Sequence, residues 1–282
     1  MKIFLYFISI PFLLFTCAGN TPIADESSLQ QDSVFIPGNS IQTRFALPDS
    51  FVRVKSDSTS FAFYLSNFKL QPQGSKVFLY NGEEKYNQAV VAAVLDIDVG
   101  KKDLQQCADG VMRLRAEYLY RTKQYSKIHF NLTKGFRADY VKWAEGNRII
   151  VNGNSTTWYA ATEKSYSYDV FKKYLEIVFS YAGTLSLSKE LKAVSLDSIE
   201  IGDVFIYGGS PGHAVIVVDV AQHQRTEKRI FMIAQSYMPA QNIHVLKNLN
   251  DASISPWYKI NESDKLYSPE WTFESHSLKR FR

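Results

Sequence analysis

Three β-type segments in the C-terminal half constrain the fold most, because the links between them are very short. Residues 203–207, 213–220 and 229–236 are rich in β-branched and other apolar side chains, which is typical of strands. The links, residues 208–212 and 221–228, have five and eight residues. Parallel neighbours need a crossover of roughly a dozen residues or more, so these links predict antiparallel hairpins. We therefore expect a three-stranded antiparallel meander.

The rest of the chain adds helices to this meander. Capping-box spacing between Asp103 and Gln106 predicts that a helix begins at Asp103. The patterns predict helices at residues 61–68, 103–120 and 168–182 and further strands at residues 76–80 and 89–99. No repeat and no Gly/Ser-rich break divides the body of the chain. The sequence therefore predicts one α+β domain with helices on one side of an antiparallel meander.

The composition is that of a globular chain with few thiols. Hydrophobic residues make up 45% and charged residues 21% of the 282 residues, which excludes disorder. The net charge of +4 gives no reason to expect a nucleic-acid partner. Aromatic residues make up 14% and are frequent in residues 128–170. We expect them either to line a substrate groove or to fill the core of a domain enlarged by this insertion.

The N-terminal residues predict an export leader. Lys2 is followed by an apolar run that is too short for a permanent membrane helix. The run ends at Cys17 in a pattern that resembles a bacterial lipobox, where a peptidase cuts before the cysteine and lipid is attached to its sulfur. This predicts a lipoprotein signal peptide at residues 1–16, a flexible tether at 17–43 and a domain at 44–282. An ordinary signal peptide or an uncleaved anchor is the alternative.

If Cys17 carries lipid, Cys107 is the only thiol of the mature domain, because the chain has two cysteines. Cys107 falls in the first turn of a predicted helix, where the positive end of the helix dipole favours the nucleophilic thiolate. The alternative is a small apolar core residue that packs beside Val111 and Leu114. Both interpretations remain open from the sequence.

His213 is the candidate general base. It opens the strand 213–220 directly after a Gly-Ser-Pro-Gly turn. Both faces of this strand are apolar until Asp219, so we expect a central strand whose first residue lies at the rim of the sheet. A histidine that merely satisfies its hydrogen bonds at a strand end is the alternative.

The following hairpin offers a residue to orient the imidazole. A turn centred between Gln224 and Arg225 predicts that His213 lies opposite Ser236. Gln235 would reach the same face only through a register slip or a bulge. Either residue could be the third member of a nucleophile–base–orienter set, and we prefer Gln235 because an amide oxygen accepts more rigidly than a hydroxyl.

These segments resemble papain-like bacterial cell-wall amidases, most closely the CHAP type (cysteine, histidine-dependent amidohydrolase/peptidase). The resemblance lies in residues 106–109, 202–206 and 212–219, which read QCAD, GDVFI and GHAVIVVD. It implies a papain-like fold with the cysteine-bearing helix packed on the antiparallel meander. It further implies Cys107 as the nucleophile and His213 as the base.

The same resemblance implies the other roles at the site. Gln235 would orient the ring of His213. Gln106, or the backbone N–H of Cys107, would stabilise the oxyanion of the reaction. The whole chain also resembles a family of envelope lipoproteins of Gram-negative bacteria that is known only as a domain of unknown function. Its signatures are residues 104–109, 208–213 and 234–241.

The sequence therefore predicts a lipid-anchored cysteine amidase or endopeptidase of the bacterial envelope, facing the periplasm or the exterior. Its expected partners are cell-wall peptide or a peptidoglycan fragment and, through Cys17, a membrane. No cofactor is expected, and no metal, because the five histidines lack paired-ligand spacing. The alternatives are a non-catalytic binding or assembly lipoprotein of the same fold and an acyl or γ-glutamyl transferase using the same residues.

Overall fold

One antiparallel sheet organises the chain and positions its candidate site. The computed structural model of the protein describes residues 38–259 and 265–282. The predicted signal peptide, Cys17 and most of the predicted tether lie outside these residues. None of the helices in these two ranges is long and apolar enough to cross a membrane.

The described residues contain six α-helices, of which α3 and α5 are the long ones. The helices are α1 (Ile41–Arg44), α2 (Phe61–Ser66), α3 (Cys107–Arg121), α4 (Tyr140–Ala144), α5 (Tyr168–Tyr181) and α6 (Thr184–Glu190). Short 3-10 turns lie at Gln88–Val90, Tyr125–Lys127, Leu196–Ser198 and Ser275–Ser277. The helices predicted near residues 61–68 and 168–182 are thus present.

Fourteen strands are found in the same ranges. The first seven are β1 (Phe51–Arg53), β2 (Val91–Val94), β3 (His129–Asn131), β4 (Arg137–Asp139), β5 (Asn147–Asn152), β6 (Ser155–Ala160) and β7 (Lys192–Ala193). The others are β8 (Val204–Tyr207), β9 (His213–His223), β10 (Arg229–Gln235), β11 (His244–Leu246), β12 (Lys265–Tyr267), β13 (Thr272–Glu274) and β14 (Leu278–Arg280).

Eight strands form the main sheet in the order β2-β11-β10-β9-β8-β14-β7, and β1 pairs with the far end of β9. Every pairing in it is antiparallel. The predicted meander β8-β9-β10 and the α+β class are therefore confirmed. Three two-stranded sheets, β3-β4, β5-β6 and β12-β13, lie outside the main sheet.

Both faces of β9 are buried, as its unbroken apolar run predicts. Ala214, Ile216 and Val218 pack in one core cluster with residues of α3 and α5. Val215 and Val217 pack in a second cluster with aromatic residues of β8, β10 and β13. The start of β9 therefore lies between a layer of helices and a second layer. The second layer includes the C-terminal segment, residues 265–282.

The start of α3 differs from the prediction, and the difference places the thiol. The helix begins at Cys107 rather than at Asp103. Asp103 is engaged elsewhere, because its Oδ1 accepts hydrogen bonds from the backbone N of Ala240 at 2.6 Å and from Gln106 Nε2 at 3.1 Å. The capping acid is Asp109, whose Oδ2 accepts from the backbone N of Gln106 at 3.1 Å. Cys107 is consequently the first helical residue.

Two predicted strands also differ from the structure. Residues 76–80 form no strand, because Phe78 and Leu79 make only single-residue bridges to different partners. The segment 89–99 is split into the end of a 3-10 turn and the four-residue β2. The packed region begins before Arg44, since Ile41 is fully buried.

The aromatic-rich segment fills a core. Within residues 128–170, Phe130, Tyr140 and Trp143 are buried in the main core cluster, whereas Tyr159 and Tyr168 are exposed. Of the two interpretations of these aromatic residues, the structure favours core filling over a groove.

Candidate active site

Cys107 lies where the first turn of α3 meets the start of β9. Its side chain is only partly exposed. The backbone N–H groups of Ala214, the residue after His213, and of the first turn of α3 lie near the thiol and act to lower its pKa. The fold therefore brings the sulfur of Cys107 to the rim of the sheet beside His213.

The environment keeps this thiol protonated. Burial, followed by the charge of Asp109, raises the pKa of Cys107 to about 11, although the backbone N–H groups oppose this shift. The thiolate that the helix dipole favours is therefore not the resting form. Desolvation outweighs the dipole because Cys107 packs against the sheet.

His213 is buried and held by one side chain. It is 1% exposed, and its Nε2 lies 2.8 Å from Oε1 of Gln235, which is also 1% exposed. Burial lowers the pKa of His213 to about 4, although Gln235 and the charge of Glu270 act in the opposite direction. The resting imidazole is therefore neutral, as a general base must be.

A β-bulge brings Gln235 to the face of His213. Met232 pairs with Asp219, but the next residue, Ile233, pairs with Val217, so β9 has one extra residue at this point. Beyond the bulge the register sets Gln235 opposite Val215. Val215 is two residues after His213, so Gln235 and His213 lie on the same face of the sheet. From the sequence, Gln235 could reach the face of His213 only through a register slip or a bulge, and the structure contains this bulge.

Ser236 lies on the other face, and the regular register that placed His213 opposite it is wrong. Its hydroxyl donates to the backbone oxygens of Gln105 and Gln241, at 2.7 and 2.8 Å. Ser236 therefore fixes the loop before α3 and does not contact the imidazole. Of the two candidates for the third position, the structure brings Gln235 to His213.

Gln106, the predicted oxyanion donor, stands directly before the helix and is partly engaged. Its Nε2 donates to Asp103 Oδ1 at 3.1 Å. The backbone N–H of Cys107 is the other predicted donor, and as the first helical residue Cys107 lies in the turn whose N–H groups lack intrahelical acceptors. The two predicted donors thus belong to Cys107 and to the residue directly before it.

Two charged residues that the sequence did not single out extend the site. Gln235 Nε2 donates to Oε2 of Glu270, and the other oxygen of Glu270 accepts from Lys85 Nζ at 2.6 Å. Lys85 and Glu270 are largely buried, with side chains 7% and 14% exposed. A hydrogen-bonded chain therefore runs from His213 through Gln235 and Glu270 to Lys85.

Aromatic rings surround the imidazole of His213. The ring of Phe273 is stacked at a centroid distance of 5.8 Å, Trp271 lies at 5.6 Å and Tyr237 meets it edge-on at 5.0 Å. Trp271 and Phe273 come from the C-terminal segment that also carries Glu270. No local pattern in the sequence signals the contacts of Trp271 and Phe273, because these residues lie about 60 positions from His213.

The described hydrogen bonds do not include one between Cys107 and the imidazole of His213. In the same residues no group of three or more His, Cys, Asp or Glu side chains could hold a metal ion. Asp98, at the end of a predicted strand, instead accepts from Arg113 at 3.0 Å and from Lys172.

Comparison with known proteins gives a family but no activity. A family model described as domain of unknown function 4846 (DUF4846) matches residues 41–280. No curated protein and no solved structure matches the chain.

Proposed function

The chain belongs to the DUF4846 family, which is described only as a domain of unknown function, and we propose from its site that it is a cysteine amidase or endopeptidase. Its substrate is an amide bond in cell-wall peptide or a related molecule. The protein is anchored by lipid on Cys17 in the bacterial envelope, facing the periplasm or the exterior. Its catalytic core is of the papain-like, CHAP-like type.

The orientation of His213 carries the proposal. Its Nε2 is occupied by Gln235, so the lone pair for proton transfer is on Nδ1. The backbone N–H of Ala214, the residue directly after His213, is near enough to the thiol of Cys107 to act on its pKa. The thiol of Cys107, the neutral imidazole of His213 and the amide of Gln235 thus support a set of nucleophile, base and orienter of the kind that thiol catalysis uses.

The resting groups are neutral, so attack and proton transfer are coupled. As the sulfur of Cys107 bonds to the amide carbon, its proton passes to Nδ1 of His213. When the carbon–nitrogen bond breaks, the imidazolium returns that proton to the leaving amine. Water then attacks the thioester, its proton passes through His213 to the departing sulfur, and the acid product leaves with the thiol restored.

The oxyanion of each tetrahedral intermediate needs donors beside the sulfur. The backbone N–H of Cys107 and the side-chain amide of Gln106 supply them in the proposed reaction. Removing one such donor typically reduces the rate by about 10²–10³. Tyr237 and Trp271 are partly exposed beside the imidazole and form one wall for the substrate.

Release of soluble fragments from purified peptidoglycan by the mature chain tests the proposal. We expect turnover by the wild type and a rate at background for Cys107→Ser and Cys107→Ala. Cys107→Ser keeps the size of the side chain and therefore serves as the control for folding. Unchanged turnover in Cys107→Ser would exclude the mechanism.

The pH dependence of kcat/KM sharpens this test. The base must be unprotonated, so activity rises as the pH passes the His213 pKa of about 4. The thiol must be protonated for coupled transfer, so activity falls only near the Cys107 pKa of about 11. We expect a broad plateau between these limits, and a narrow optimum near neutrality would contradict a neutral resting pair.

The raised pKa of Cys107 also favours a second candidate, a non-catalytic binding lipoprotein. In that case wild type and Cys107→Ser would bind peptidoglycan fragments equally and release nothing. Iodoacetamide would then leave Cys107 unmodified at neutral pH, even when fragments are bound.

A further inference from the structure

The hydrogen-bonded chain behind His213 has a direction that the buried charges fix. A carboxylate can only accept, so the end of Gln235 that faces Glu270 must be its NH2 group. The oxygen of Gln235 therefore faces His213 and accepts from an Nε2–H. Lys85 Nζ donates to the other oxygen of Glu270 at 2.6 Å, and the two residues form a largely buried ion pair.

We propose that the Glu270–Lys85 pair is the positioning element of the site and holds His213 in its Nε2–H tautomer. Neither residue is required to touch the substrate. Without the carboxylate, the amide of Gln235 could turn over and present NH2 to the imidazole, which would favour the Nδ1–H tautomer. In that tautomer Nδ1 carries a hydrogen and has no lone pair to receive the thiol proton.

The surroundings support a built network rather than a chance contact. Gln235 and His213 are each 1% exposed, so water does not compete for their hydrogen bonds. The ammonium of Lys85 also lies 5.3 Å from the ring centre of Tyr237, the residue that meets His213 edge-on. Lys85 and Glu270 are 185 positions apart in the chain, so the fold must close to create the pair.

The nitrogen chemical shifts of His213 measure its tautomer directly and need no substrate. In Glu270→Gln either end of the new amide can face Gln235, so we expect about a tenfold rise in the Nδ1–H population, the effect of losing one charge-assisted hydrogen bond. Glu274→Gln is the matched control, because Glu274 makes an exposed ion pair with Lys265 in the same segment. It should leave the tautomer unchanged.

This proposal rests on the proposed function only where it assigns the tautomer a role in catalysis. An unchanged tautomer in folded Glu270→Gln overturns it, whatever the activity. Should that variant fail to fold, the double variant Lys85→Met/Glu270→Met removes both buried charges together and gives the same readout. Absence of turnover in the wild type, with a tautomer that responds to Glu270→Gln, overturns the function and not the positioning role.

A cavity lined by basic side chains carries a second, independent inference. It measures about 260 Å³ and lies between α3, the β3-β4 hairpin, the end of α6 and the C-terminal residues. Arg115 and Arg137 line it together with Lys127, Lys189 and Arg282, and Glu190 is the single acidic residue in the lining. Arg115 follows Cys107 by eight residues, or about 12 Å along α3, so this cavity is distinct from the thiol site.

Two of the arginines in this cavity differ in how their charge is compensated: Arg137 Nε lies 2.7 Å from Asp139 Oδ1, whereas Arg115 has aromatic partners. Arg115 stacks on the rings of Phe61 and Phe281, at 5.0 and 5.3 Å, and within the described ranges it makes no hydrogen bond or ion pair. Burial lowers its pKa. His129 has a buried Nδ1 without a hydrogen-bond partner in the same ranges. Burial and then the charge of Arg137 lower the pKa of His129, although the charge of Asp139 opposes this shift.

We propose that this cavity binds a small anion with several negative oxygens, of the phosphate or polycarboxylate class. The planar guanidinium of Arg115 is suited to such oxygens, and Lys189 at the rim adds a point charge. An anion would compensate the cluster and supply a partner for Nδ1 of His129 after protonation. The volume admits a ligand larger than one phosphate group.

Binding is measured with inorganic phosphate, pyrophosphate and citrate at constant ionic strength, using the thermal midpoint and the ring signals of His129. We expect a rise in the midpoint and protonation of His129 at a higher pH with at least one of these probes. Phosphate or pyrophosphate binding without citrate binding assigns the phosphate class, and the reverse assigns carboxylates.

Arg115→Met should weaken this binding about tenfold or more. Lys189→Met tests the exposed rim in case the buried variant does not fold. Lys142→Met is the matched control, because Lys142 is exposed over the ring of Trp158 and does not line the cavity. A response to none of the three probes, or equal binding by all variants, overturns the proposal.

Discussion

At the scale of single residues, His244 illustrates how burial links protonation to stability. It is fully buried opposite Gln235, and its Nδ1 lies 2.9 Å from the backbone oxygen of Asn242. Its Nε2 has no partner among the described residues. Burial lowers the pKa of His244 to about 4, below the ordinary histidine value of 6.5. Between pH 6.5 and about 4, the unfolded chain therefore binds a proton at His244 that the folded protein does not bind.

The sign of the pH effect follows from this difference. The stability that neutral His244 contributes is fully present above pH 6.5 and is lost as the pH falls towards about 4. The full loss is on the order of 3 kcal/mol. We expect the free energy of unfolding of His244→Gln to fall less over this range than that of the wild type. His213 and the buried carboxyls remain in both proteins, so the difference isolates His244.

Urea unfolding at a series of pH values measures this difference. The exposed His276→Gln variant is the control and should follow the wild-type curve. Parallel curves for the wild type and His244→Gln would show that the ring is protonated without cost in the fold.

At the scale of elements, the turn before β9 sets the position of His213. Gly212 packs so closely that an added Cβ would lie 2.8 Å from the backbone oxygen of Tyr207 and would collide with the side chain of Thr184 at the start of α6. An added Cβ at Gly208 would lie 2.8 Å from Ser188 Cβ. The glycines of this segment thus allow the turn to rest on α6 and bring the first residue of β9 to the rim.

Gly212→Ala should therefore destabilise the protein by about 1–3 kcal/mol, the usual cost of overpacking. We also expect slower release of peptidoglycan fragments, because the start of β9, which carries His213, must move. Gly183→Ala is the matched control, since an added Cβ there meets nothing within 4 Å and its φ of 175° is extended. Equal denaturation midpoints for the two variants would refute the close-packing explanation.

Local patterns predicted the elements whose signals are local. The meander, α2 and α5 follow from short links and helical periodicity. The hairpin register alone placed Ser236 opposite His213, and Gln235 reaches His213 only because of the bulge in β9. The start of α3 was misplaced because Asp103 has the spacing of a cap but bonds to Ala240, more than a hundred residues away. The contribution of Glu270 was missed for the same reason, since only the closed fold brings it to Gln235.

At the scale of the whole molecule, the C-terminal segment completes both the sheet and the site. Its strand β14 lies between β8 and β7, and the residues before it supply Glu270 and the rings over His213. Arg280 fixes this strand: its Nε and Nη2 donate to the fully buried carboxylate of Asp203, at 2.6 and 2.9 Å. The Gly-Asp motif that resembles cell-wall amidases thus has a structural partner here.

Removing Arg280 should therefore affect the entire fold. Arg280→Met leaves the carboxylate of Asp203 buried with only the backbone N–H of Glu200, at 2.8 Å, as a described donor. We expect a loss of about 3–5 kcal/mol, as for other broken buried pairs. The double variant Asp203→Asn/Arg280→Met should recover part of this loss, because it removes the unpaired charge. Lys265→Met breaks the exposed pair with Glu274 and should leave the free energy of unfolding nearly unchanged.

Urea unfolding followed by circular dichroism and by tryptophan fluorescence distinguishes global from local loss. If β14 and the segment of Trp271 unfold with the sheet, the two signals of Arg280→Met shift together. A fluorescence change at lower urea would mean that the C-terminal segment detaches first and exposes His213 before the sheet unfolds. A loss below about 1 kcal/mol would contradict the buried-pair explanation, because it would equal that of an exposed pair.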